Sequence, residues 1–222
     1  TDGPSQPVTD IDGNVYKTVK LGNQVWMAEN LRTTRYADGT PIPLGTERSY
    51  VVAYRYYPDD NSANVSTYGY LYNWAAVMKG ASSSDANPSG VQGICPDGWH
   101  VPSDAEWTEL TNYVKSQSQY VCGDYTGNIA KALASETGWK PDDEECAAGN
   151  NPSANNATGF SARPAGGYFG DYSGFGNYAN FWSATQNISN YAYGRFLYYG
   201  YAYVSRYNDY EDYGSSVRCV RN

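Results

Sequence analysis

Residues 194–207 read Gly-Arg-Phe-Leu-Tyr-Tyr-Gly-Tyr-Ala-Tyr-Val-Ser-Arg-Tyr. Two alternating arms, 194–199 and 203–207, flank Gly200-Tyr201-Ala202, the pattern of an antiparallel hairpin. Side chains alternate along a strand, so Leu197, Tyr199, Val204 and Arg206 are expected to point inward. Phe196, Tyr198, Tyr203, Ser205 and Tyr207 then share the outward face. From Gly159 onward there is no helical pattern. Short strand-like pieces alternate with Gly, Asn and Ser, and end in Ser216-Val217-Arg218-Cys219-Val220.

Twelve of the 24 tyrosines lie between residues 168 and 213, among Asn187, Ser189, Asn190, Asn208 and Asp209, and no Lys follows Lys140. Tyr offers a large amphipathic contact with two torsions to freeze, and Ser, Gly and Asn adapt their hydrogen bonds; antibody-type binding surfaces use this palette. Packing of a β-core explains the tyrosines less well. Outward positions carry as many aromatics as inward ones, and a buried Tyr needs a partner for its hydroxyl. Residues 168–219 are therefore the candidate ligand-binding region.

Working outward, the N-terminal part also alternates. Residues 15–19 follow an Asp12-Gly13 turn, and Gly22-Asn23 leads into a strand at 24–27, which makes a β-hairpin or meander. Residues 37–67, with Pro41, Pro43 and Pro58, read mostly as loop. Leu71, Trp74, Ala75 and Met78 fall at helical spacing. Ser103 and Glu106 form a capping box after Pro102, followed by the apolar stripe Trp107, Leu110 and Val114. A weaker helix runs through Ile129 and Leu133 to Gly138, and 141–158 is loop. The expected class is α+β, with an N-terminal β-hairpin, two to three short helices and a Tyr-rich antiparallel C-terminal sheet. The length of 222 residues suits one domain, 8–222, with 1–7 as a linker.

Charge narrows the partners. Fifteen Lys and Arg against 23 Asp and Glu leave −8, which argues against nucleic acid and anionic membrane surfaces, since both require a basic patch. No apolar run approaches the length of a bilayer-spanning helix, so membrane attachment is expected only through a lipid anchor upstream of residue 1.

The four cysteines, Cys95, Cys122, Cys146 and Cys219, contain no closely spaced pair of the zinc or thioredoxin type. Two disulfides in an oxidising compartment are expected, with four buried thiols as the alternative. Four cysteines allow three pairings. The favoured one joins Cys122 to Cys146 across a local insertion and Cys95 to Cys219, tying the chain end to its middle.

Chemical motifs are sparse. The single histidine, His100, lies between Trp99 and Val101 and reads as a structural residue. Asp59-Asp60 and the acidic run 142–145 read as solvated loop charges. Residues 10–14 (Asp-Ile-Asp-Gly-Asn) open like a calcium loop, but Leu21 stands where the bidentate Glu is needed, so they read as a turn. The Gly-rich stretch 165–176 opens no helix and so makes no phosphate loop. Sequons occur at Asn64, Asn156 and Asn187. No catalytic residue, metal or cofactor is expected.

Several stretches together resemble one family. They are 10–16 (Asp-Ile-Asp-Gly-Asn-Val-Tyr), 22–31 (Gly-Asn-Gln-Val-Trp-Met-Ala-Glu-Asn-Leu), 70–74 (Tyr-Leu-Tyr-Asn-Trp), 95–102 (Cys-Pro-Asp-Gly-Trp-His-Val-Pro), 181–185 (Phe-Trp-Ser-Ala-Thr) and 216–221 (Ser-Val-Arg-Cys-Val-Arg). In this order they are similar to the Fibrobacter succinogenes major paralogous domain, common in secreted and lipid-anchored proteins of Bacteroidetes. The resemblance covers about 8–222. It implies a C-type-lectin-like fold in which Cys95 pairs with Cys219, while the segment holding Cys122 and Cys146 looks like an insertion.

The C-terminal third is also similar to the variable proteins of diversity-generating retroelements. That resemblance makes Leu197, Val204, Arg206, Val217 and Cys219 scaffold. Phe196, Tyr198, Gly200, Tyr203, Ser205, Tyr207, Asn208 and Tyr210 become the exchangeable ligand-binding surface, joined by Asn187, Tyr191 and Tyr193. Ser215 departs from the pattern, which often has an aromatic there. The implied function is a non-catalytic adhesin or receptor-binding protein that is outer-membrane surface-anchored or carried on a phage virion. Its partner would be a protein or glycan receptor on another cell or on a phage host. Two alternatives compete. Residues 98–107 are similar to a stretch of formylglycine-generating enzymes, whose chemistry needs a reactive cysteine pair. An invariant carbohydrate-binding surface module is the other, although calcium-lectin motifs are missing and only Tyr207-Asn208-Asp209 is a faint echo of one.

Overall fold

A computed structural model describes residues 1–222. Strands β1 (Gly3–Thr9), β2 (Val15–Leu21) and β3 (Gln24–Met27) form an antiparallel meander. The β2–β3 turn is the two-residue Gly22-Asn23, and Gly22 takes the left-handed conformation (φ 61°) that such turns require. The Asp10–Asn14 connection is a turn as expected. The Asp10 carboxylate accepts hydrogen bonds from the backbone of Asp12 and Asn14, and from the Tyr16 hydroxyl at 2.6 Å. Residues 3–7, expected as linker, belong to β1. Its two prolines are tolerated because β1 is an edge strand with an irregular register between Ser5 and Val8.

The middle of the chain is mostly irregular. Strands β4 (Arg55–Tyr56) and β5 (Leu71–Tyr72) pair, and short helices α1 (Val65–Tyr68) and α2 (Trp74–Met78) frame β5. Leu71, expected on the helix with Trp74, lies on β5; the Asn73 side chain caps the helix and fixes its start. Strand β6 (Trp99–His100) leads into α3 (Asp104–Ser116), whose first turn carries the Ser103–Glu106 capping box, and Trp107, Leu110 and Val114 are buried as expected. The weak helix is one turn, α4 (Ala130–Leu133).

After β7 (Gly167–Tyr168) and β8 (Tyr172–Ser173) come β9 (Tyr178–Ile188), β10 (Tyr191–Tyr198) and β11 (Ser205–Tyr210), a three-stranded antiparallel sheet in the order β11-β10-β9. The chain ends in β12 (Val220–Arg221), inserted between β3 and β6, so the first sheet has the order β1-β2-β3-β12-β6. The expected α+β class holds. Both favoured disulfides form, Cys95–Cys219 with Cα atoms 6.0 Å apart and Cys122–Cys146 at 5.6 Å.

Strand β9 feeds two cores because adjacent residues face opposite ways. Trp182 packs with Tyr16, Tyr72, Val77 and Ile94, whereas Phe181 packs with Trp26, Trp107 and Phe160. The Trp182 indole N–H donates to the Tyr72 carbonyl at 2.7 Å, and that of Trp107 to the Trp182 carbonyl at 3.2 Å. Arg218 ties the end of β3 to the 160–161 loop from a fully buried position. Its guanidinium donates to Asn30 Oδ1 and to the carbonyls of Met27, Phe160 and Ser161, with no carboxylate near enough to pair. Burial without a counter-charge pulls it down to about 9.

Candidate ligand-binding surface

Strands β10 and β11 pair without interruption from Tyr191↔Tyr210 to Phe196↔Ser205. This register settles which side chains share a face. Tyr191, Tyr193, Arg195 and Leu197 stand with Tyr210, Asn208, Arg206 and Val204 on the side of α3. Ala192, Gly194, Phe196 and Tyr198 stand with Asp209, Tyr207 and Ser205 on the other. The residues read as one outward surface therefore divide between two faces. Phe196, Tyr198, Ser205 and Tyr207 form one group, extended by Gly200 and Tyr203 in the connecting loop. Tyr191, Tyr193, Asn208 and Tyr210 form the other, with Asn187 beside them.

The α3 face is clamped by charge. Asp104, at the helix start, accepts from Arg195 Nη1 at 2.6 Å and from Arg206 Nη2 at 2.9 Å. Burial would raise the Asp104 carboxyl, but the hydrogen bonds and charges of Arg206 and Arg195 outweigh it and hold it below the usual carboxylate range. Leu197 is buried and Val204 packs on the core, as expected. Arg206 was expected inward and lies on that face, but at its rim. Half of its side chain remains exposed because α3 ends its cover at Asp104, and its guanidinium lies 3.9 Å from the Tyr193 ring centroid. The Tyr193 hydroxyl in turn donates to Asn187 Oδ1 at 2.8 Å. Tyr199, also expected inward, is only half-buried, with Lys140 Nζ 4.8 Å from its ring centroid.

The opposite face carries a chain of aromatic contacts. Tyr178 meets Phe196 at 5.6 Å and Tyr198 at 4.6 Å between ring centroids, Tyr198 meets Tyr201 at 4.8 Å, and Tyr201 stacks on Tyr203 at 4.8 Å. Tyr201 and Tyr203 are 37% and 45% exposed, which makes the loop the outermost part of the patch. The loop does not stand alone. The backbone N–H groups of Ala130, Ala148 and Gly149 donate to the carbonyls of Ala202, Tyr201 and Tyr199, so α4 and the Cys122–Cys146 insertion hold it from below.

Tyr207 differs from the other rings. It lies against Phe196 at 5.2 Å and over Gly194, with its hydroxyl sealed from solvent and without a hydrogen-bond partner. Burial pushes that hydroxyl far above the ordinary tyrosine value. Beside it, Phe169, Ser173, Gly174, Tyr178, Asn180, Phe196, Tyr207 and Asp209 line a cleft of about 330 Å³. Asp209 accepts one hydrogen bond, from the Tyr210 N–H at 3.0 Å, and burial lifts its carboxyl to about 6. Asn180 is 6% exposed, and no protein group hydrogen-bonds its side-chain amide.

Tyr178, Tyr201, Asp209, Asn180 and Phe169 extend the expected set. Sequence reasoning missed Asn180 because its strand reads as core, and Phe169 because it is brought in from β7–β8. Asp209 alternates with Tyr207, and that was the available signal.

The 98–107 stretch lies apart from these strands, in β6 and the start of α3. His100 Nε2 lies 2.6 Å from Glu106 Oε1 and Nδ1 lies 2.7 Å from Asn222 Oδ1, joining β6, α3 and the chain end in a buried knot. Both cysteines of the 95–219 bridge are fully buried. No three His, Cys, Asp or Glu side chains gather as a metal-ligand set.

The family model described as the Fibrobacter succinogenes major domain matches residues 19–221, so the chain belongs to that family. No curated protein and no solved structure matches it.

Proposed function

We propose that this member of the Fibrobacter succinogenes major domain family is a non-catalytic binding module that presents the aromatic face of β9–β11 to a protein or glycan receptor. The observation that carries this reading is the contact chain Tyr178–Tyr198–Tyr201–Tyr203. It runs outward from the sheet to an exposed loop, and none of these rings belongs to either core. Amphipathic rings arranged this way suit a receptor-binding patch. The scaffold itself we read as C-type-lectin-like, in keeping with first and last strands that share one sheet and with a bridge from Cys95 to the residue before β12.

Diversification by a retroelement fits the same division of labour. Tyr198, Tyr201, Tyr203, Ser205, Asn208 and Tyr210 reach solvent, whereas Leu197, Arg195, Val217 and Cys219 hold the fold. Exchange of the first group leaves the second untouched. Two disulfides suit an oxidising environment, so we place the module on a cell surface or a virion.

The test is a display library randomised at Tyr198, Tyr201, Tyr203 and Ser205 and panned against several purified, unrelated proteins. Folded binders to more than one target are expected. A library that unfolds, or that yields no binder, sinks the reading. Sequencing the gene across its source population tests the retroelement: substitutions confined to these exposed codons support it, and an invariant face removes it.

A further inference from the structure

We infer that the cleft between β9–β11 and residues 169–174 binds an alkylammonium group, such as a lysine side chain or a quaternary amine. The group would sit among the rings of Tyr178, Phe196 and Tyr207 against the Asp209 carboxylate. This rests on the reading above and names the chemistry of what the face recognises.

Three observations point to a cation. First, the cleft of about 330 Å³ is of a size to admit an ammonium head with its methylene stem, and its walls are largely aromatic. Ring faces carry negative potential and attract a desolvated cation. Second, Asp209 is a carboxylate with no counter-charge. Its one hydrogen bond is from the Tyr210 N–H, and neither Lys nor Arg pairs with it. The neighbouring Asp212 adds like charge, and Arg48 is committed to Asp212 at 3.6 Å. A partly desolvated carboxylate left unpaired is costly, and an entering cation offsets that cost. Third, the Asn180 amide is more than nine-tenths buried, lines the cleft and has no protein partner, so it can accept an N–H from the ligand.

Other ligand classes fit less well. An anion meets Asp209 and Asp212, and Arg48 beside them is already engaged with Asp212. A neutral apolar group leaves the carboxylate desolvated and unpaired. Opposite Asp209 and Tyr207, β10 carries only the small residues Ala192 and Gly194, so Phe196 is its one side chain lining the cleft.

The protonation of Asp209 gives the site a pH dependence. The groups around it are Tyr207 on its own strand, Asp212 with its partner Arg48, Tyr178 and Asn180 from β9, and Phe169 and Ser173 from across the cleft. Cation affinity is full above about 6 and declines as acid neutralises the carboxylate.

The test titrates choline and n-butylammonium into the full chain, followed by NMR at the amides of Phe196, Tyr207 and Asp209. The neutral isostere of choline, 3,3-dimethylbutan-1-ol, serves as control. The expected result is saturable shifts with both cations, binding of the isostere roughly tenfold weaker, and loss of that preference in Asp209→Asn. Should the variant unfold, the unmodified chain decides, since its choline affinity must fall on acidification through about 6. Equal binding of the isostere, absence of saturable shifts, or a pH-independent affinity overturns the inference. The two readings fail separately. Library binders that depend on Tyr201 and Tyr203 but are indifferent to Asp209→Asn overturn the cation site and leave the binding face standing.

Discussion

The ring of Tyr207 covers Gly194 so closely that a Cβ at residue 194 would lie 3.0 Å from Tyr207 Cε1 and 2.5 Å from the Phe181 carbonyl. The pair faces across β10 and β11 in register, and the missing side chain is what lets the ring lie down. Gly194→Ala should therefore lift Tyr207 off the sheet and strain β9, at a cost of roughly 1–3 kcal/mol. Urea denaturation measures that cost. An unchanged midpoint would mean that the ring is not seated there.

Tyrosines on the same face should separate by role. Tyr201→Ser and Tyr203→Ser remove exposed rings and leave the melting temperature within a few degrees. Tyr207→Ala empties a packed site and should cost on the order of 3 kcal/mol. Thermal melts of the three variants, run side by side, check the contrast.

Asp104 joins α3 to the hairpin through Arg195 and Arg206. Its folded pKa is depressed, so its stabilisation is present above the unfolded carboxylate value and is lost as pH falls through the lower folded one. Asp104→Asn leaves Arg195 buried without a counter-charge and should cost about 3 kcal/mol at neutral pH. The variant should also lose less stability than the parent as the pH falls below about 4. Parallel acid titrations of the urea midpoint test both statements.

His100 works in the opposite direction. Burial would lower its pKa, but the hydrogen bond and charge of Glu106, with help from Asn222, raise it above 6.5. A raised folded value stabilises fully below the unfolded pKa, and the contribution fades as pH climbs through the folded one. Stability should fall on the alkaline side of 6.5, and His100→Gln should flatten that slope. Denaturation midpoints across the range decide it.

The Cys122–Cys146 bridge closes a 24-residue separation; Ala130 inside it holds the Ala202 carbonyl, and Ala148 and Gly149, just beyond Cys146, hold those of Tyr201 and Tyr199. Replacing both cysteines by serine should cost about 3.5 kcal/mol on the loop-entropy model. The same change should speed amide hydrogen exchange at residues 199–202 while leaving β12 protected. Exchange that quickens equally across the chain would refute a local role.

Much of this was written locally. The N-terminal meander follows from alternation and two glycine turns, the start of α3 from Ser103 and Glu106, and the two disulfides from spacing and family resemblance. The tyrosine content of 168–213 is likewise visible in composition. These features depend on neighbours within a few residues, or on composition, and a sequence displays both directly.

Other features required the fold. Alternation told which hairpin residues share a face but not which face α3 would cover, because cover depends on a helix nearly a hundred residues away. Arg206 thus faces Asp104 rather than a closed core, and Tyr207 lies down on Gly194. Asp209, Asn180 and Phe169 come from three separate segments, and only the β9–β10–β11 register and the return of the chain at β7–β8 bring them around one cleft. Burial and charge pairing are properties of that assembly. The sequence alone determined what the surface is made of, and tertiary packing decided that Asp209 would line its cleft without a counter-charge.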